Sequence, residues 1–447
     1  MKNFFESLAN VWKIEELKNR ILITLGLLLV YRFGAHVTLP GIDATQLNSL
    51  AGQTKNGIGS ILDMFTGGAF SKASVFALGI MPYISASIVV QLMGIAIPYL
   101  QKLQKDGESG RKKLNQITRW LTILITLVQG PGYIYNLYQT LPSSAFMLGF
   151  DSFSFLFSSV LILTTGTVFA MWMGEKITDK GIGNGISLLI MVGILARLPQ
   201  AFIQEFSSTI TNNNGGPMLL VIEIIIWLLV IIACVLLVMA VRKIPVQYAR
   251  RTTTGDFEED MMGGNRQWIP LKLNASGVMP IIFAQAIMFI PAALAGLSQS
   301  ETSQSIAGAF SNMFGLWYNL VFATLIVVFT FFYTAITVPT NKMADDLKRS
   351  GGFIPGIRPG AETSDYLDHI MSLITFPGSL FLALIAVFPA IIVSLGVQQS
   401  WALFFGGTSL IIMVGVAIDT IQQINSYLLN KHYDGLMKSG KNRKAVA

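Results

Sequence analysis

The sequence predicts an all-α polytopic membrane protein of ten transmembrane helices, and three observations predict it. Hydrophobic residues make up 52% of the chain and charged residues only 12%, against about 25% charge in soluble globular domains. Apolar runs recur near 20–39, 74–98, 116–138, 153–173, 183–202, 217–241, 275–298, 316–338, 370–394 and 402–424, each long enough for the roughly 20 helical residues that cross a bilayer. Lysine and arginine concentrate in alternate connections between these runs, the asymmetry that orients membrane proteins.

The order of elements follows from these runs. Residues 1–19 are polar and amphipathic, with no cleavable signal peptide visible, and read as a cytoplasmic N-terminal segment. Spans one to five occupy 20–204, and 205–241 holds span six with its external approach. A cytoplasmic loop covers 242–272, spans seven and eight 273–338, a second cytoplasmic loop 339–369, spans nine and ten 370–427, and a cytoplasmic tail 428–447. With the N-terminus inside, the outer side receives only Lys55, Lys72 and Arg197, and Arg32 lies in the first span. The runs lack the two-residue alternation of membrane barrel strands. A five-plus-five arrangement of inverted repeats, as in transporters, is compatible with the spacing.

The two cytoplasmic loops, RKIPVQYARRTTTGDFEEDMMGGNRQWIPLKLN and NKMADDLKRSGGFIPGIRPGAETSDYLDH, are too long for turns. Their Gly and Pro content predicts a break in regular structure, and loops of this length are commonly functional.

Several chemistries are excluded. The single cysteine, Cys234, lies in an apolar run, so there is no intrachain disulfide or cysteine metal cluster. His36, His369 and His432 have no ligand spacing, and no metal or cofactor is expected. GLMKSGKN at 435–442 approaches a phosphate-binding loop but ends in Asn442 and lies in a polar tail rather than between strand and helix. The spans carry no chain of mid-membrane carboxylates or histidines for cation coupling, and no paired Asp, Ser/His pair or HExxH for an intramembrane enzyme. From the residues alone, the reading is a ten-span carrier of a small solute.

One stretch fits that reading poorly. ILDMFTGGAFSKASVFALG at 61–79 begins as an apolar helix and is interrupted by Gly67-Gly68. It is either an ordinary external loop or a half-length segment at membrane depth, which is tolerated where it is buried in protein or lines a cavity. Two isoleucine pairs also stand out. Ile80 and Ile84, and Ile186 and Ile190, are each four apart and so share a helix face. By spacing alone such pairs face lipid or a neighbouring helix.

The blocks YRFGAHVTLPGID, GGAFSKASVFALGIMPYISASIVVQLM, KDGESGRKKLNQITRW, GEKITDKGIGNGIS, FFYTAI, SGGFIPGIRPG and FGGTSL occur in an order that resembles the SecY/Sec61-alpha family of protein-conducting channels from end to end. The resemblance implies two pseudo-symmetric halves of five helices around a central pore in a bacterial cytoplasmic membrane. It assigns the plug to about 58–70, with Ile61, Leu62, Met64 and Phe65 on its helix and Gly67 and Gly68 as hinge. It places the pore ring at Ile80, Ile84, Ile186, Ile190, Ile282 and Ile412 and polar lateral-gate residues at Gln91 and Asn274. Arg250, Arg251 and Arg358 fall on the docking surface for a motor or ribosome, although GDFEED makes the first loop more acidic than is common in relatives. The implied function is passage of unfolded polypeptides across the membrane and release of membrane spans into lipid, without enzymatic activity. The implied partners are SecE-like and SecG-like subunits, the SecA ATPase, the ribosome, membrane lipid, SecDF and YidC.

Overall fold

The computed structural model describes residues 12, 14–47, 58–146, 152–211, 216–248, 266–285, 287, 288 and 312–443. The chain divides into two units. Met1–Thr211, Gln398–Trp401 and Val416–Ala447 form one, and Asn212–Val397 with Ala402–Gly415 the other.

In the first unit, α1 (Glu15–Gly34) is followed by a 3-10 turn at Ala44–Gln46 and the short α2 (Ile58–Phe65). Non-helical turns run from 66 to 80. Then come α3 (Met81–Ala96), α4 (Pro98–Lys105), α5 (Gly107–Thr140), α6 (Ser152–Lys180) and α7 (Gly185–Thr211). The second run is helical only from Met81, and α3 meets α4 at a bend of 104°. Ile97 is extended, with φ of −103° and ψ of 115°, as expected before a proline, whose ring disfavours helical backbone at the preceding residue. Helix α5 packs on α3 and α6, and α6 on α1 and α7. The outer core between them gathers Leu39, Ala73, Ala77, Ile134, Leu137 and Leu163.

In the second unit, α8 (Gly216–Met239) leads into β1 (Val241–Tyr248) and β2 (Arg266–Lys272). Residues 279–285 are helical. There follow α9 (Leu316–Thr337), α10 (Thr340–Arg349), β3 (Gly352–Phe353), α11 (Ala361–Ser394), α12 (Gln399–Ala402) and α13 (Gly407–Arg443). The last two cross between the units as defined above. Helix α11 packs against α8, α9 and α10.

Among the described residues, six helices are long and apolar enough to cross a membrane, or seven if the bent α3–α4 pair is one span. Helix α1 carries Lys18, Arg20 and Arg32, while the bilayer-length part of α5 is diluted by Gln129, Asn136 and three tyrosines. The second part of predicted span seven, from 289 onward, lies outside the described residues. The outer surface suits lipid: on α8, Val221, Ile225, Leu229, Ile232 and Leu236 are all exposed, which in water would form an unusually large apolar patch.

The structure corrects the all-α expectation. The fold is mostly helical, but the connection after α8 supplies β1 and β2 of a three-stranded antiparallel sheet of order β2-β1-β3. Nor is the second loop irregular: it contains α10, β3 and the first turns of α11. The cause is readable in VRKIPVQY, where Ile244 and Val246 alternate with less buried neighbours, the period of a strand with one covered face. They pack with Leu271, Leu347, Ile354, Leu367 and Met371 into a small core of their own. Pro245 and Pro270 are accommodated inside β1 and β2, and Gly356 and Gly360 lie in the turn between β3 and α11.

Candidate functional site

Helix α2 is too short to cross a membrane and stops at a left-handed corner. Gly67 and Gly68 have φ of +66° and +92°, a region costly for residues with a Cβ. The Gly68 N–H donates to the Asp63 carbonyl at 2.8 Å and that of Thr66 to the Leu62 carbonyl at 3.0 Å, so the corner closes the helix's own last carbonyls. Leu62 is half-buried, and Met64, Phe65, Gly67 and Gly68 are buried; Ile61 lies on the same helix.

Helix α7 supplies the seat. Ile186, Ile190, Gly193 and Arg197 are spaced four, three and four apart and therefore form one stripe along the helix. At Gly193 the backbones touch: a Cβ there would lie 2.6 Å from the Phe65 carbonyl oxygen, and one on Gly67 would lie 2.8 Å from Gly193 Cα. One turn further, Arg197 forms an ion pair with Asp63 and donates to Ser71 Oγ at 3.0 Å. The Asp63 side chain is 4% exposed, and its Oδ1 also accepts the Ser71 N–H at 2.8 Å. From α1, Arg32 Nη1 donates to the Gly67 carbonyl at 2.6 Å. From α5, the Tyr133 hydroxyl donates to the Phe70 carbonyl at 2.8 Å. A buried carboxylate is tolerable only with such a set of partners. Lys72, in the turns, is held below the ordinary lysine range by partial burial and by the Arg32 charge.

Sequence reasoning missed this cluster. It found no chain of ionisable groups within the spans, whereas the fold brings Arg32, Asp63 and Arg197 together around α2. The available signal was the position of Arg197 on the same stripe as Ile186 and Ile190.

The isoleucines assigned to the ring are distributed over both units. Ile80 immediately precedes α3 and Ile84 lies in its first turn, with the Ile84 N–H donating to the Ile80 carbonyl at 3.1 Å. Ile80 and Ile190 are buried, and Ile84 and Ile186 half-buried. In the other unit Ile282 is half-buried among helical residues and Ile412, on α13, is buried. Gln91 is half-buried on α3 and donates to Ser87 Oγ at 3.2 Å. Asn274 follows β2, and its Oδ1 accepts from Ser276 Oγ at 3.3 Å.

Arg250 and Arg251 lie outside the described residues. The Arg358 side chain is 87% exposed, 3.7 Å from Glu362, on a turn whose flanking Gly356 and Gly360 have φ of +84° and +118°. That turn is anchored by Thr363 Oγ1 donating to the Arg358 carbonyl at 2.8 Å. The backbone is pinned while the guanidinium projects freely, an arrangement suited to an anionic surface.

Comparison with known proteins agrees with this architecture. A sequence profile described as SecY matches residues 74–421. The chain is 38% identical over 442 residues to the protein translocase subunit SecY of Streptomyces scabiei, covering 96% of this chain and 99% of that one. With the subunit of the same name from Haemophilus influenzae it shares 40% identity over 428 residues, 95% and 94% of the two chains. A solved structure described as a protein conducting channel superposes with a TM-score of 0.59 over 92% of each chain at 16% identity. Canine Sec61 in a ribosome–channel complex does so with a TM-score of 0.54 at 15% identity. A half-length helix seated in a multi-span bundle and near-full-length identity to translocase subunits lead to one conclusion: the chain belongs to the SecY family, as a protein-conducting channel subunit and not an enzyme.

Proposed function

We propose that the chain forms a gated conduit in which α2 is the plug and Ile80, Ile84, Ile186, Ile190, Ile282 and Ile412 are the constriction. The observation that carries this is the α7 stripe. The helix bearing two of the assigned isoleucines also bears, on the same face, the glycine and arginine that hold α2. A narrow apolar ring gates by dewetting, makes no directional bonds to its cargo, and so passes polypeptides of any sequence.

The chain crosses the membrane ten times with both termini cytoplasmic, an orientation supported by its loop charges. Gln91 and Asn274 belong to the lateral gate through which apolar segments leave for lipid. Arg358, with Arg250 and Arg251, belongs to a cytoplasmic docking surface. Related channels are described in complex with ribosomes, and the ribosome and the SecA motor are the partners for that surface here. SecE-like and SecG-like subunits complete the complex, and SecDF and YidC act with it.

A photo-crosslinking side chain placed at Ile282 tests the conduit in cells that hold a secretory protein arrested halfway through export. An adduct with the arrested chain is expected. No adduct there, while a probe beside Arg358 still captures ribosome or motor, overturns the ring and leaves docking standing. Silence at both positions overturns the whole reading.

A further inference from the structure

The turn that launches α7 is gripped from several directions. Residues 181–184 join α6 to α7, and side chains take the amides of Ile182 and Gly183 in this turn and of Gly185 and Ile186 just after it. The Ile182 N–H donates to Thr24 Oγ1 of α1 at 3.1 Å. The Gly183 N–H donates to Gln423 Oε1 of α13 at 2.8 Å. The Gly185 N–H donates to Thr178 Oγ1 of α6 at 2.9 Å. Asn184 Oδ1 accepts from the Ile186 N–H at 3.2 Å.

A helix start leaves its first amides without partners inside the helix, and a single capping side chain ordinarily serves. Here three helices contribute. The two threonines each complete a relay: Thr24 Oγ1 donates to the Arg20 carbonyl at 2.9 Å, and Thr178 Oγ1 to the Gly174 carbonyl at 2.9 Å. Each hydroxyl therefore spends its proton on its own helix and its lone pair on the turn. Arg20 also reaches the Gly181 carbonyl at 3.5 Å and lies 5.1 Å from the Tyr427 ring centre of α13.

The turn has no slack. A Cβ on Gly185 would lie 2.0 Å from the Gly174 carbonyl oxygen, and one on Gly181 would lie 2.4 Å from Thr24 Oγ1. Gly183 has φ of +81°. A turn held this closely sets the height and rotation of α7, and Ile186 and Ile190 lie in the first two turns of that helix.

We propose that Thr24, Thr178 and Gln423 are positioning residues for the constriction, holding Ile186 and Ile190 in the sealing position through the amides of the 181–185 turn. This rests on the reading that those isoleucines line the constriction. It also makes the seal depend on α13, the helix that continues into the cytoplasmic tail.

The test uses the complete translocase complex in lipid vesicles and reads chloride release through the resting channel. Thr24→Val, Thr178→Val and Gln423→Leu keep side-chain bulk and remove the acceptor. They are expected to raise release about tenfold, as the loss of a buried or partly buried hydrogen bond frees the turn. Thr24→Ser, Thr178→Ser and Gln423→Glu retain an acceptor and are expected to stay tight. Thr122→Val, which removes a buried hydroxyl bonded only along α5, controls for general loosening, and Ile190→Ala opens the constriction directly. Release from Ile190→Ala without release from the valine and leucine variants overturns the proposal and leaves the constriction intact. Equal release from the serine and glutamate variants, or from Thr122→Val, also overturns it. A tight Ile190→Ala overturns the constriction reading itself.

Discussion

Asp63 and Arg197 lie 134 positions apart in the chain and form an ion pair that ties the short α2 to the middle of α7. The pair is asymmetric: the carboxylate is 4% exposed and the guanidinium 30%. Removing the cation leaves a buried charge without its partner, whereas removing the anion leaves a cation that water can reach.

The first prediction follows from that asymmetry. Arg197→Gln is expected to weaken the seating of α2 by about 3 kcal/mol or more, the range for breaking a buried pair. Asp63→Asn costs less, and the double variant less than Arg197→Gln alone. Ion release from vesicles holding the translocase ranks the three. Equal leaks from both single variants would show that the pair does not hold α2.

Glycine contacts offer a second prediction. Gly193→Ala brings a methyl group within 2.6 Å of the Phe65 carbonyl oxygen, a backbone atom that cannot rotate away, while nothing lies within 4 Å of a Cβ on Gly26. Gly193→Ala is expected to lift α2, and Gly26→Ala to be silent. Thiol labelling of a cysteine placed at Met64 reports the difference: faster labelling in the first background and unchanged labelling in the second.

A third prediction concerns the three-stranded sheet. Leu367 is fully buried in the small core of β1, β2 and α10. Leu367→Ala is expected to destabilise that core by about 2–5 kcal/mol and to speed tryptic cleavage near Arg349. Cleavage at the parental rate would mean that α11 does not brace the sheet.

The fourth prediction separates docking from folding. The exposed Arg358 side chain lies 3.7 Å from Glu362, at the margin of an ion-pair distance, and exposed pairs contribute about 0–1 kcal/mol. Arg358→Glu is expected to leave thermal unfolding and tryptic pattern unchanged while lowering translocation and capture of the motor or ribosome. Unchanged translocation would remove Arg358 from the docking surface.

Much of the architecture was legible because bilayer thickness imposes a simple length code on apolar runs. The corner at Gly67-Gly68 was legible for a related reason, since Gly releases the backbone locally, whereas the bend at Ile97-Pro98 fell in a run read as one continuous span. The sheet was equally visible in VRKIPVQY and RQWIPLK but was hidden by weighing Gly and Pro content over alternation. What no local pattern carries is the pairing of Asp63 with Arg197 or of Gln423 with Gly183. Each partner is unremarkable in its own segment, and only packing of distant helices brings the two together. The proposed isoleucine ring has the same character: spacing shows a shared face for each pair, and what that face looks toward is set by distant helices.

The antiparallel ladder of β1 and β2 has a mechanical consequence. It pairs seven residues, from Val241 with Lys272 to Gln247 with Arg266, and the Leu273 N–H extends it by donating to the Ala240 carbonyl at 2.9 Å. Only Ala240 separates α8 from β1. A push or pull along the strands therefore runs along both backbones together, and the cross-strand bonds keep the two in register instead of peeling one by one. The paired strands act as a stiff strut, passing force along their length to α8 at their base instead of absorbing it.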